Sequence, residues 1–430
     1  MKLKSAILKT EFLVSSVLIL LAMLLLFSMP LITSCGFTAQ TTYDICIDST
    51  LLKHEALDIV ENINRVIIKN DSLEIVHGHV IVKDKWTSGI NVFLNLPVDR
   101  MYDKATVILN GWNLSFTGGK GQVMYVGAAV GNIKLDPGLL TWNAVGVLRN
   151  EDDTREIEGK FYYTVLLWKS AKVQLITNEG NIKDLCKSSH SGGNSFFGSN
   201  NDGMTTSLAS KITSIKLEGF PTRGLKGLLP RGFLMSYSDY ALFGGSDHNL
   251  AQLAYRMGEV ETTDDKTDPR RMVDSAYISW RSDFIIKDDD DRRDFRFFET
   301  VSAIAGSDLG YIQPPFSILP SEDPGWASGC LASAGNTETK EYSVQNIPYQ
   351  YGIPLLTGWN LENFCGDEPV KSIGVYIEDW DYTFMPNSAL GGNLIYKLVT
   401  TIDSGSGDAF TYTGHHVSVL GIINIANKLK

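Results

Sequence analysis

The chain has 430 residues, of which 43% are hydrophobic, 20% charged and 10% aromatic, with 39 glycines and a formal net charge of −11. That length can bury two to four ordinary cores, and the composition is that of a folded, turn-rich β protein and not of a disordered chain. An acidic balance with no basic cluster excludes a nucleic-acid surface, because phosphate binding needs a concentrated Lys/Arg footprint.

Lys2, Lys4 and Lys9 precede an apolar run from Phe12 to Met29, the order of an export signal or a membrane anchor. The run ends in Ile32-Thr33-Ser34-Cys35-Gly36. This resembles the lipobox of bacterial lipoproteins, an aliphatic residue and two small residues before a cysteine. The resemblance implies removal of residues 1–34 as a signal peptide and lipidation of Cys35. Gly36, in place of an acidic residue, implies outer-membrane sorting in a Gram-negative source. An uncleaved anchor helix and simple secretion are the alternatives, since about 18 apolar residues nearly span a bilayer. Localisation is therefore expected in the cell envelope, with the membrane as a partner through the lipid.

Five cysteines are present: Cys35, Cys46, Cys186, Cys330 and Cys365. With Cys35 used for the lipid, four remain, enough for two disulfides in an oxidising compartment. Three pairings are possible; Cys330 with Cys365, which bracket one connecting segment, is favoured, leaving Cys46 with Cys186. None has the spacing of a zinc site.

Residues 35–105 form a β-rich N-terminal segment. Leu51 to Arg65 admits a short helix, whereas Leu73 to Lys83 and Ile90 to Leu96 read as strands rich in β-branched residues. His77 and His79 fall on one face of such a strand, a spacing compatible with metal ligation and equally with ordinary strand histidines.

Three repeats follow, at 106–186, 226–312 and 353–430. The first opens on Gly111-Trp112-Asn113-Leu114 and the third on Gly358-Trp359-Asn360-Leu361, each with a second glycine 16 positions on, Gly127 and Gly374. A looser copy starts at Gly232-Phe233. Next comes an alternating apolar strand: Met124, Val126, Ala128 and Val130; then Leu253, Tyr255 and Met257; then Ile373, Val375 and Ile377. Such period-2 patterning predicts half-buried antiparallel strands. A strand opened by Trp142, Trp280 or Tyr396 then runs into a polar tip, and the chain returns through Phe161 and Tyr163, Phe295 and Phe297, or Phe410 and Tyr412. Strand, polar tip and returning strand predict a β-hairpin. The fold class is therefore all-β, with three tandem antiparallel β-sandwich repeats, each expected to close its own core. The stretch 187–225, rich in Ser, Gly and Asn at its start, reads as a linker, and 313–352, with Pro314, Pro315, Pro320 and Pro324, as a stiff connector. The closing Val417 to Gly421 strand is expected to pair within the third repeat.

The chemistry-bearing candidates are few. Asp288, Asp289, Asp290 and Asp291 cluster carboxylates that suit calcium, but without the alternating ligands and glycine of an EF-hand loop; a solvated hairpin tip has the same composition. Glu378, Asp379 and Asp381 surround Trp380, as a glycoside-cleaving acid and base beside a sugar-stacking indole would, although alternation puts Glu378 on the opposite face from the two aspartates. His415 and His416 are adjacent, hence on opposite faces. No nucleophile elbow, HExxH or phosphate-cradling loop occurs. Polar loops that differ between copies on a repeated scaffold are natural binding positions, here Asp247 with His248 and Asp367 with Glu368.

The order of an apolar strand near the head, an aromatic-initiated strand and a closing V-x-V-L-G is similar to the small six-stranded sandwich of H-type lectins, over about 70 residues per copy. The resemblance implies a sandwich and a binding role, and no sugar-binding motif of that family transfers residue by residue. The expected function is a lipid-anchored surface protein that binds a glycan or protein, or builds an envelope layer, without catalysis and without a cofactor beyond calcium. An exported carboxylate-dependent hydrolase is the alternative.

Overall fold

A computed structural model describes residues 58–84, 89–119, 123, 125–149, 156–177, 198–199, 205–218, 225–238, 250–264, 275–288, 294–312, 337–363, 370–385, 391–403 and 411–423. The chain divides into two units, Met1–Ser49 and Thr50–Lys430, and every described residue belongs to the second.

That unit is all-β, with no helix among the described residues. β1 (Asp58–Lys69) and β2 (Leu73–Asp84) open it as an antiparallel hairpin. Asn70 closes their turn: its Oδ1 accepts the backbone N–H groups of Ser72 and Leu73, both at 2.9 Å. The first repeat comprises β3 (Gly89–Pro97), β4 (Lys104–Phe116), β5 (Tyr125–Asp136), β6 (Leu139–Arg149) and β7 (Ile157–Trp168), followed by the short β8 (Leu175–Thr177) and β9 (Gly198–Ser199). The second comprises β10 (Thr205–Glu218), β11 (Leu225–Ser238), β12 (Leu250–Asp264), β13 (Ser275–Asp288) and β14 (Asp294–Gly306), followed by β15 (Leu309–Ile312). The third comprises β16 (Thr337–Ile347), β17 (Tyr351–Asn363), β18 (Ser372–Phe384), β19 (Gly392–Asp403) and β20 (Thr411–Ile422).

Corresponding strands make corresponding pairs. In each repeat the first and third strands flank the fourth, and the second pairs with the fifth. The third strand of each repeat then joins the second strand of another: β5 pairs β11, β12 pairs β17 and β18 pairs β4. The result is three antiparallel sheets, ordered β1-β2-β7-β4-β18-β19-β16, β15-β20-β17-β12-β13-β10-β9 and β3-β6-β5-β11-β14-β8. Each contains strands of two repeats, and the repeats close a ring as three subunits with head-to-tail interfaces would.

Four expectations change. The strands on either side of each polar tip do not pair: β6 and β7, β13 and β14, and β19 and β20 lie in different sheets. The tips are therefore crossings between the two layers of a sandwich, a connection with the same strand, polar loop and strand composition as a hairpin. The antiparallel hairpins join the third and fourth strands instead, and that of the first repeat is tight, at Asp136-Pro137-Gly138-Leu139, where Gly138 at φ 92° supplies the positive angle of a type II turn after proline. Each repeat also shares its sheets with its neighbours and does not close a core alone. The first strands β10 and β16 lie inside the segments read as linker and connector; β16 is a polar, mostly exposed edge strand, with too little apolar density to announce itself. Finally, Asp58 to Arg65 is strand, not helix. The strands expected over Leu73 to Lys83 and Ile90 to Leu96 are present as β2 and β3, and β20 pairs with β17 as expected.

At the centre of the ring the head aromatics meet. The Trp112 and Phe233 rings are 5.0 Å apart, Phe233 and Trp359 4.7 Å, and Trp112 and Trp359 5.9 Å. The adjoining strands are buried on both faces, from Val126 through Gly131 and from Ala105 through Trp112, where alternation predicts one wet face. The repeats bury the second face against one another. The head glycines make this possible: a Cβ on Gly111, at φ +142°, would stand 2.1 Å from Tyr376 Cα, and one on Gly232 would stand 2.3 Å from Ala129 Cβ. Gly127 and Gly374, the other glycines of the 16-residue spacing, lie opposite Leu234 and Asn113 of the adjoining repeats. The two glycines of one motif thus serve two different seams.

Candidate functional site

The first sheet brings together two groups that stand some 300 residues apart in the chain, His77 with His79 and Glu378 through Asp381. Two strands, β7 and β4, separate β2 from β18 in the sheet, yet His77 reaches the backbone of Glu378. The sheet curls until its faces touch.

Inside the curl runs a chain of buried polar groups. Asn110 Nδ2 donates to Thr164 Oγ1 at 2.6 Å, Thr164 Oγ1 lies 3.1 Å from His77 Nδ1, and His77 Nε2 lies 3.2 Å from the Glu378 carbonyl oxygen. The carbonyl only accepts, so Nε2 carries the proton and Nδ1 accepts from the threonine hydroxyl. This arrangement needs a neutral imidazole, and burial accordingly lowers the His77 pKa to about 4. Beside it Tyr162 and Tyr376 stack at 4.2 Å and 5° across Gly111, which lies between their strands. The Lys160 ammonium sits 5.0 Å and 5.2 Å from the two ring centres. His79 packs 4.9 Å from Tyr162, with Glu61 3.7 Å from its Nε2. Burial pushes the pKa of both Lys160 and His79 down and those of both tyrosines up.

Arg65 of β1 closes the curl. It contacts Asp379 Oδ1 at 2.5 Å and Asp381 Oδ1 at 3.3 Å, and donates to the Trp380 carbonyl at 2.5 Å. The two aspartates are thus held by one guanidinium, and Trp380 is buried with its ring 6.3 Å from His77. Tyr162, Thr164 and Trp380 are all buried, so the Trp380 indole offers no face on which a sugar could stack. What this arrangement does chemically is fasten β1 and β2 to β18. Among the described residues no group of three or more His, Cys, Asp or Glu is placed to hold a metal ion.

A second set of polar groups occupies one repeated core position. Phe161, Glu299 and His415 stand opposite Trp112, Phe233 and Trp359 respectively. Phe161 is apolar. Buried Glu299 accepts from Tyr255 Oη at 2.9 Å, Trp280 Nε1 at 3.1 Å and Ser282 Oγ at 2.7 Å. His415, its pKa lowered to about 4 by burial, lies 3.2 Å from Tyr396 Oη and packs 4.3 Å from Tyr342. Trp142, Trp280 and Tyr396 are all buried, as plugs of a sandwich core are. The cavity between the head aromatics, lined also by Tyr255, Pro230 and Leu356, has about 10 Å³, room for at most one water.

Sequence reasoning missed the residue before each head glycine. Asn110, Arg231 and Thr357 are the extra residues of a β-bulge in β4, β11 and β17, and all are buried. Each bonds the fifth strand's hydroxyl: Thr164 at 2.6 Å, Ser302 at 2.8 Å and Ser418 at 3.1 Å. Arg231 also donates to Val107 O and Thr106 Oγ1 of the first repeat. A polar residue before glycine and a large aromatic after it, three times over, was the available signal. Arg65 gave none.

Asp247, His248, Asp367 and Glu368, Asp289 through Asp291, the five cysteines and the signal segment all lie outside the described residues, and of Asp288 only its place at the end of β13 is described. The neighbouring strand ends are described. Phe116 pairs with Ile157 and Tyr125 with Arg149; Ser238 pairs with Asp294 and Leu250 with Asp288; Asn363 pairs with Thr411 and Ser372 with Asp403. Across the seams, Ser372 pairs with Ser115, Tyr125 with Ser236 and Gln252 with Glu362. All twelve strand ends therefore stand at one end of the ring.

The fold and this geometry define an all-β protein of three fused, strand-sharing repeats. Comparison of the sequence with protein-family models gives no match, and comparison with curated proteins gives none either.

Proposed function

We propose that the protein is an exported, lipid-anchored surface protein that binds a glycan or another protein through one end of its ring, without catalysis. The observation that carries this reading is the common end shared by the twelve strand ends, because the six segments joining them contain the variable polar loops and the acidic runs Glu151-Asp152-Asp153 and Asp289-Asp290-Asp291. Loops of differing chemistry gathered at one end of a rigid scaffold are how β-sandwich binders work, and several together raise avidity. Their acidity suits a cationic or calcium-bridged partner. The hydrolase reading loses its best carboxylates, since Arg65 engages both Asp379 and Asp381.

The test is a glycan array and a surface-protein pull-down with the detergent-solubilised full chain, with and without calcium. Binding should fall when Asp247 and His248, or Asp367 and Glu368, are replaced by alanine. Blank results in both assays would refute the binding role and leave an envelope-structural one. For the anchor, Cys35→Ser should abolish metabolic lipid labelling and release the protein from membranes; unchanged fractionation would instead indicate an uncleaved helix.

A further inference from the structure

Among the described residues β1 is an edge strand, paired only with β2, and it leaves Ile59, Val60, Ile63 and Val66 between 47% and 55% exposed. Such an edge offers unpaired backbone N–H and C=O groups to another strand, and proteins ordinarily blunt it. Here the sequence does something else. Residues 59 to 67 read Ile-Val-Glu-Asn-Ile-Asn-Arg-Val-Ile, which mirrors itself about Ile63. Ile59 matches Ile67, Val60 matches Val66, Asn62 matches Asn64, and Glu61 matches its opposite charge, Arg65. Pairing with β2 makes no use of this symmetry, because the partners there run Ile81, Val80, His79, Gly78 and His77.

One arrangement does use it. In an antiparallel pair related by a two-fold axis through Ile63, every residue faces its mirror position, since an isologous interface sets one patch against itself. We infer that a second copy of this chain pairs its β1 with this β1, antiparallel, with Ile63 on the axis. Glu61 then stands opposite Arg65 of the partner subunit, and Arg65 opposite Glu61 of the partner subunit, flanking two isoleucines on one face. Asn62 faces Asn64 of the partner subunit on the other, where the Tyr163 hydroxyl shares its one proton between Asn62 Oδ1 at 2.9 Å and Asn64 Oδ1 at 3.0 Å. Opposite charges and like aliphatic residues in register are what stabilise cross-strand pairs. The ladder to β2 is regular from Glu61 to Val66, between bulges, and that straight run contains the whole charged centre of the mirror. Arg65 and Glu61 remain 44% and 41% exposed beside their partners Asp379, Asp381 and His79, so each keeps a free side for the second copy.

Sedimentation of the detergent-solubilised protein, with bound detergent density-matched, should give twice the mass of one chain, itself fixed by mass spectrometry, at tens of micromolar. Glu61→Arg sets arginine against arginine twice and should weaken the dimer about tenfold. Thermal melting should confirm that the variant folds, and Arg65 is left in place because it holds Asp379 and Asp381. Ile63→Cys gives a direct readout. Opposed residues in an antiparallel pair have Cα atoms about 4.5–5.5 Å apart, within the span of a disulfide. Mild oxidation should therefore link Cys to Cys at position 63 between two chains, identified by peptide mapping because native cysteines are present. A particle of one chain, an unchanged dimer on Glu61→Arg, or no link at position 63 would each overturn the pairing. So would hydrogen exchange showing residues 41–57 of the same chain protecting the β1 amides of a monomer.

Discussion

Gly111→Ala is the sharpest test of the shared seams. The added methyl would meet Tyr376 Cα at 2.1 Å, Tyr376 Cβ at 2.3 Å and the Val375 carbonyl oxygen at 2.5 Å, none of them the far end of a flexible side chain. To reach an ordinary carbon contact of about 3.5 Å, β18 would have to retreat about 1.4 Å from β4. That is enough to break the ladder joining Ser372 through Tyr376 to Ser115 through Gly111. Overpacking of this kind costs about 1–3 kcal/mol and an alanine at φ +142° about 1–3 more, giving about 4 kcal/mol in all. Gly118→Ala is the control, because a Cβ there meets nothing within 4 Å and should change stability by less than about 0.5 kcal/mol. Urea unfolding followed by tryptophan fluorescence compares the two, since Trp112 stands next to the altered seam. Equal midpoints for the two variants would refute the pairing of β18 with β4.

Stability should decline from pH 6.5 towards 4. His77 and His415 are held neutral in the fold while the unfolded chain takes up protons over that interval, so the contribution is whole above pH 6.5 and is lost as pH falls, by about 3 kcal/mol for each histidine. Denaturant midpoints across that range should flatten in His77→Gln and His415→Gln, and an unaltered slope in both would count against neutral burial. Glu299→Ala strips the acceptor from Tyr255, Trp280 and Ser282, and calorimetry should register a loss of about 3 kcal/mol; a change under about 1 kcal/mol would mean those donors find water instead. Arg65→Ala should cost only about 1 kcal/mol, since its side chain is 44% exposed, but should raise amide exchange in β1; unchanged exchange would show that the arginine does not fasten the strand.

The sequence made the repeats and most strands legible, because Gly-Trp-Asn-Leu, the alternating strands and the recurrent aromatics are local signals. Partnership was not local. A strand such as β5, Tyr125–Asp136, shows apolar residues on one face by period, and its small residues Gly127, Ala129 and Gly131 on the other face look neutral until a neighbouring repeat is packed against them. A polar tip between two strands has the same composition whether the strands pair or cross between layers, which is why the arches passed for hairpins. The candidate site failed for a related reason. His77 and Asp379 are each unremarkable in their own strands, and only the curl of the first sheet makes them neighbours.

The cyclic order of the seams sets a schedule for folding. A chain emerging in sequence order can make the β5 to β11 seam once the second repeat arrives, and the β12 to β17 seam with the third. The seam between β18 and β4 comes last, and it joins the newest strand to one of the oldest. Until then β4 carries an open apolar edge, and closing it has the entropic cost of the most distant contact in the ring. A chain truncated anywhere before Ser372 would keep that edge permanently, so its fate should be strand exchange or aggregation rather than a smaller folded protein.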